Sequence, residues 1–283
     1  MKSLLLAISF LILGASSVLH AQGVQADLTR EVNFLYEVKV IDEFIERFND
    51  DPTSFLRKEY LRHGKPINFT RRDLVQYLFE KPAGSGDSLM IGFVNQVTDS
   101  LHPQKLSFDD TNWYAEVMCN FSMAGKHMNI PLVLQVATDT DRSSRWMICG
   151  IGDAPVFHDG ENAAAPAAVK DQKKFISPSD YATNFLELHH ILKPGFEGVN
   201  YLTPQLMESE RGRKFARLIQ DGKMKFEAPG AMRFYFFQIP NYTFVVERFV
   251  RQTTHSGWLI SDLTPASADE KRIRKEKLLQ STL

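Results

Sequence analysis

Between Trp113 and Ile151 three apolar runs follow one another, Trp113 to Met123, Met128 to Thr138 and Arg145 to Ile151, across the turns Ala124-Gly125-Lys126 and Asp139 to Ser144. Connections that short can join only antiparallel neighbours, because a parallel pair needs a crossover of a dozen or more residues. The chain is therefore committed to an antiparallel meander there. A fourth β-like run, Leu89 to Val97, is expected to lead into it.

Helical patterns come before these strands. Val32, Leu35, Tyr36, Ile41, Phe44, Ile45 and Phe48 fall on roughly one face of a helix over Leu28 to Phe48, which Asp50-Asp51-Pro52 ends. Thr53 to Arg62 reads as a second helix. Thr70 with Asp73 three residues later is an N-cap with an acidic N3 residue, opening a third through Phe79.

The order recurs after Asp153 to Lys174, whose Ala-Pro-Ala run and charges have a linker's composition. Ser177-Pro178-Ser179-Asp180 starts a helix carrying Tyr181, Phe185, Leu188 and Leu192 on one face, and Thr203-Pro204 starts another through Ile219, weakened in its middle by Gly212. Four strands are expected next: Lys223 to Glu227, Met232 to Ile239, Tyr242 to Thr253 and Trp258 to Leu263. Each half ends on a polar turn, a Trp and an apolar strand, at Trp146 and at Trp258. The expected fold class is α+β, in two modules of N-terminal helices packed on a bent antiparallel sheet: residues 27–153, a linker at 154–176, a smaller module at 177–264 and a charged tail helix at 265–283.

Element order and the paired Trp146 and Trp258 resemble the NTF2-like (cystatin-like α+β cone) superfamily, here as a tandem pair. The resemblance implies a concave sheet face used for isomerase or hydrolase chemistry, ligand binding or protein contacts. It would bring Asp109, Tyr114, Glu116 or His127 toward the mouth of the first pocket.

Met1-Lys2, the apolar run Leu4 to Leu13 and the small residues up to Ala21 follow the order of a cleavable secretory signal, with cleavage expected after Ala21. The run is shorter than the roughly twenty residues a membrane-spanning helix needs, so no transmembrane anchor is expected. The expected destination is periplasmic or secreted. With 33 basic against 34 acidic side chains the formal charge is -1, so no overall field favours nucleic acid. Cys119 and Cys149 read as buried free thiols, with a disulfide as the alternative.

Motif searches leave little chemistry. Adjacent His189 and His190 point about 100° apart on a helix and do not share a metal easily, and with Glu187 they read as solvated or capping groups. Ser85 lies in a Gly-rich connector, not in a strand-to-helix elbow. The sequons at Asn68, Asn120 and Asn241 read as chance matches. No cofactor or metal is expected.

The aromatic stretch Phe234, Tyr235, Phe236, Phe237, Tyr242, Phe244 and Phe249 must place alternate rings on opposite sheet faces, one as core and the other as a ligand groove, a partner surface or a module contact. Ser267 to Gln280 reads as a frayed, solvated end, with docking on a partner as the sharper alternative. The ligand-binding residues proposed from sequence are Tyr114, Glu116, His127, Trp146, Tyr235 and Trp258. The functional expectation is an exported, non-enzymatic protein binding an unidentified small molecule or protein. The alternatives are a cofactor-independent isomerase or hydrolase and a structural envelope component.

Overall fold

The structure, a computed structural model, describes residues 37–81, 87–138, 144–158, 176, 185–251 and 255–280. The signal segment, the start of the first predicted helix, Ser85, most of the linker and the predicted cap at Ser177 lie outside the described residues. The chain is α+β. Helices α1 (Ile41–Asn49), α2 (Phe55–Arg62), α3 (Arg71–Tyr77) and α4 (Ser88–Val97) precede strands β1 (Trp113–Met123), β2 (Lys126–Thr138) and β3 (Ser144–Ile151). Short helices α5 (Leu188–Ile191), α6 (Gly198–Tyr201) and α7 (Pro204–Glu208) lead to α8 (Glu210–Gln220). Strands β4 (Met224–Phe236), β5 (Tyr242–Phe249) and β6 (Gly257–Pro265) follow, and α9 (Ala268–Gln280) is the last described element.

The six strands form one open antiparallel sheet in the order β3-β2-β1-β4-β5-β6, so the two predicted meanders adjoin through a β1–β4 pair at the centre. Both halves supply one continuous core, with α1, α3, α4, α7 and α8 on one face of the sheet. Trp113 lies 4.8 Å from Trp146 and 5.4 Å from Phe236, while Phe236 stacks on Phe244 at 4.9 Å. Phe44 and Phe48 of α1 cover Phe244 from above.

Several expectations are corrected. Leu89 to Val97 is not a strand: Met90, Phe93, Val94 and Val97, spaced i, i+3, i+4 and i+7, are the buried stripe of α4, and the Asp87 carboxylate caps it by accepting from the Met90 amide at 3.1 Å. Among the described residues the helix read over Leu28 to Phe48 is helical only from Ile41, because Val38 pairs with Gly257 at the edge of β6. That bridge demands glycine, since a Cβ on Gly257 would stand 2.0 Å from the Val38 carbonyl oxygen.

The helix read through 203–219 is two helices. Ser209 interrupts it and caps α8 by accepting from the Gly212 amide. A Cβ at Gly212 would meet the Leu206 carbonyl oxygen at 1.9 Å, so this glycine serves the close fold-back of α7 on α8. The two strands read at 223–227 and 232–239 are one, β4, which absorbs Pro229-Gly230 through register shifts against β1.

Other signals reappear as read. Thr70 and Asp73 form a reciprocal capping box on α3. Within α3, Arg71 donates to the carbonyls of Phe48, Val97 and Gln104, tying the ends of α1 and α4 to the loop before β1. Cys119 and Cys149 are free thiols on opposite faces of the sheet, where no disulfide between them is possible. No described helix is long and apolar enough to cross a membrane.

Candidate functional site: the cleft under the C-terminal helix

Strand alternation decides which side chains reach the second face of the sheet. On β1 the odd-numbered residues Trp113 to Phe121 enter the helical core, so Tyr114 and Glu116 point the other way. Cross-strand register then lines up Gln135, Tyr114, Tyr235, Val245 and Asp262 in one row across five strands. Beside it runs a second row, Glu116, Arg233 and Glu247. Two pairs of polar groups within these rows are joined by short hydrogen bonds. The Tyr235 hydroxyl donates to Glu116 Oε2 at 2.8 Å, and Arg233 Nε donates to Glu247 Oε1 at 2.6 Å.

Helix α9 crosses one end of this face. Ser267 and Glu270 form its capping box, with the Glu270 carboxylate accepting from the Ser267 amide at 2.7 Å and the Ser267 hydroxyl accepting from the Glu270 amide at 3.3 Å. Lys271 donates to the carbonyls of Phe237 and Ile239, and Lys275 donates to the Asn112 side chain. Leu278 and Leu279 pack on a small cluster of Tyr114, Val133, Cys149 and Phe237. The expected frayed tail is thus a docked helix, held by aliphatic stems and two leucines over an apolar patch.

Between the flank of α9 and the sheet lies a half-open cleft of about 390 Å³, a size in the range that holds a small organic molecule. Its sheet wall includes Glu116, Tyr235, Phe237, Thr243, Val245 and Asp262. Its helix wall is Arg274, Lys277 and Leu278.

Burial tunes the groups around it. The Tyr114 phenol is pushed up to about 12 by burial, with the nearby Cys149 thiol adding to the shift. Burial, then the bond to Glu116, raises the Tyr235 phenol, so it keeps its proton and acts as a donor. Burial works to raise the Glu247 carboxyl, but hydrogen bonds from Ser261 and Arg233 outweigh it and leave that group below its ordinary value. Lys271 and Lys275 are both lowered, chiefly by burial under the helix.

Family models, curated proteins and solved structures give no match to this chain.

Of the six residues proposed from sequence, Glu116 and Tyr235 line the cleft and Tyr114 lies beside it under α9. His127 sits at the far end of the β1–β2 hairpin, exposed and 3.0 Å from Glu227. Trp146 and Trp258 are on the opposite face, buried against Trp113, Phe185 and Phe234. Asp109 accepts from the Ser144 hydroxyl in a strand-edge loop. His189 and His190 are exposed on α5, and no three His, Cys, Asp or Glu among the described residues are grouped to hold a metal ion.

Thr243, Val245, Asp262, Arg274, Lys277 and Leu278 were not proposed from sequence. The signal for Thr243 and Val245 was the alternation of β5, which puts them opposite Phe244 and Val246; Asp262 shares the parity of core residue Ile260 and reaches the outer face only through the register shift between β5 and β6, which alternation does not foretell. For the last three it was the Ser267–Glu270 capping box, which marks a committed helix start.

Proposed function

We propose that this chain is an exported binding protein whose ligand site is the cleft between α9 and the outer face of the sheet. The cleft carries the reading: an apolar floor of Val245 and Phe237, a few fixed polar groups and a helix along one side are what recognition of a small organic molecule requires. The test is a fluorescence titration with the neutral dye N-phenylnaphthylamine on the protein and on Val245→Trp, whose indole fills the cleft. Saturable binding to one site, lost in the variant, supports the reading. Absence of saturable binding, or binding indifferent to Val245→Trp, overturns it.

A second reading, cofactor-independent acid–base chemistry in the same cleft, draws on the hydrogen-bonded Tyr235–Glu116 pair. A raised phenol is a weak acid near neutral pH, which favours binding over proton transfer. We also read the two halves as diverged NTF2-like modules. Helices precede a three-stranded meander in each, and Trp146 and Trp258 both turn into the core, which supports this. Export is proposed from the signal at residues 1–21, and a mature N-terminus at Gln22 is its check.

A further inference from the structure

Five basic residues of α9 divide into three groups by what they touch. Lys271 and Lys275 reach inward to Phe237, Ile239 and Asn112 and hold the helix down. Arg272 lies outside, paired with Asp269 and Glu276. Arg274 and Lys277 do neither: they border the cleft, and the described carboxylate that feels Arg274, Glu270 one turn earlier, is already held by the Ser267 amide and hydroxyl. Positions i and i+3 of a helix are neighbours, with Cβ atoms about 5–6 Å apart. The two cations therefore bear on one spot.

The cleft also holds two carboxylates, and their placement decides which charge prevails. Glu116 already accepts from the Tyr235 hydroxyl, and Asp262 accepts from the Thr264 hydroxyl at 3.0 Å. They stand on β1 and β6, three strand spacings apart in the sheet, or roughly 14 Å. Coulomb interaction falls with distance, so no single point in the cleft feels both carboxylates strongly, whereas a point beside α9 feels both cations.

We infer that the cleft takes an apolar monoanion, with a hydrocarbon or aromatic body on Val245, Phe237 and Leu278 and a carboxylate or sulfonate between Arg274 and Lys277. This rests on the ligand-binding reading above. Guanidinium and ammonium groups both donate charge-assisted hydrogen bonds to such a headgroup, and the guanidinium can do so through two parallel bonds. The open flank of the cleft keeps the headgroup at the solvent edge, so that the charge is only partly desolvated.

The test compares two dyes with the same aromatic body, the anion anilinonaphthalene sulfonate and the neutral N-phenylnaphthylamine. The sulfonate is expected to bind roughly tenfold or more tightly than the neutral dye, since two favourable charge contacts at a partly exposed site together amount to about a decade in affinity. Arg274→Gln with Lys277→Gln is expected to bring that ratio close to one by weakening the sulfonate far more than the neutral dye. Neither side chain holds α9 in place, so the double variant keeps the helix docked, which an unchanged Cys149 labelling rate verifies.

A ratio near one in the unmodified protein, or a preference that survives the double substitution, overturns the inference while the cleft remains a binding site. If neither dye binds saturably, the ligand-binding reading falls with it. Raising the ionic strength supplies a further check, because the sulfonate's advantage should shrink with salt while the neutral dye's affinity does not.

Discussion

On the side of the sheet that meets α1 and α4, Trp113, Trp146, Phe234, Phe236 and Phe244 are each 1% exposed or less and touch ring to ring. On the other side Tyr114, Val133, Cys149 and Phe237 are buried only where α9 crosses them, and beyond it Arg233, Val245 and Glu247 are half-buried or exposed. An antiparallel sheet can keep one face packed and the other solvated, because each strand sends alternate side chains to each. Burial of aromatic area therefore concentrates stability on the helical face. The outer face, with a polar row and one charged helix, is free to vary its chemistry at little cost to folding.

The largest test of that division is a pair of truncations one strand row apart. Trp113→Ala should cost about 3–5 kcal/mol, since it leaves a cavity among rings that cannot close on it, whereas Val245→Ala on the outer face should cost less than about 1 kcal/mol. Urea unfolding of both variants measures the difference. Equal losses would mean that the two faces share the core's work. Deleting residues 267–283 comes next, with an expected loss of about 1–3 kcal/mol from uncovering Leu278, Leu279 and the patch beneath them. In that truncated protein Cys149 should become at least roughly tenfold faster to label with a thiol reagent, while Cys119, in the helical core, stays protected. Equal labelling of the two thiols would show that α9 holds the whole sheet together.

How much of this was legible in the sequence depends on how local each signal is. The capping box at Thr70 and Asp73 and the hairpin turn at Ala124-Gly125 act within a few residues, and the chain obeys them. Leu89 to Val97 misleads because an uncharged apolar run fits a buried strand or a helix that packs against a sheet, and only the Asp87 cap separates the two. Trp146 and Trp258 stand before the last strand residues of each half, but both are buried in the core, so these tryptophans located packing and not a site. Glu116 and Tyr235 could be nominated from β1 and β4, yet their meeting depends on the β1–β4 pairing, a contact across 119 positions of sequence. The Ser267–Glu270 capping box marks the helix that carries Arg274 and Lys277, but their place in the cleft depends on α9 folding back over the sheet.

A smaller test uses pH. An unfolded tyrosine loses its proton near pH 10, whereas buried Tyr114 holds its own up to about 12. Between those values the folded chain binds a proton that the unfolded chain has released, so this contribution to stability is complete below pH 10 and is lost as the pH climbs toward 12. Thermal unfolding followed from pH 8 to 12 should therefore fall less steeply for Tyr114→Phe than for the unmodified protein. An unchanged slope would mean that α9 leaves the phenol open to water.

The smallest expected effect is at Tyr235, and it bears most directly on the outer face. Tyr235→Phe removes the donor to Glu116 and should cost about 0.5–1.5 kcal/mol at neutral pH, the net worth of one hydrogen bond with a partner that water can still reach. The Glu116 carboxylate then stands in the cleft without its internal partner, where it repels an anion beside Arg274 and Lys277 more strongly. Tyr235→Phe should accordingly weaken the sulfonate dye more than the neutral one, and Tyr235→Phe with Glu116→Gln should restore the balance. A stability loss well beyond this range would place Tyr235 with the packed aromatics of the helical face. Equal weakening of both dyes would leave the Tyr235–Glu116 pair as a structural bond of the sheet, with no part in choosing the ligand's charge.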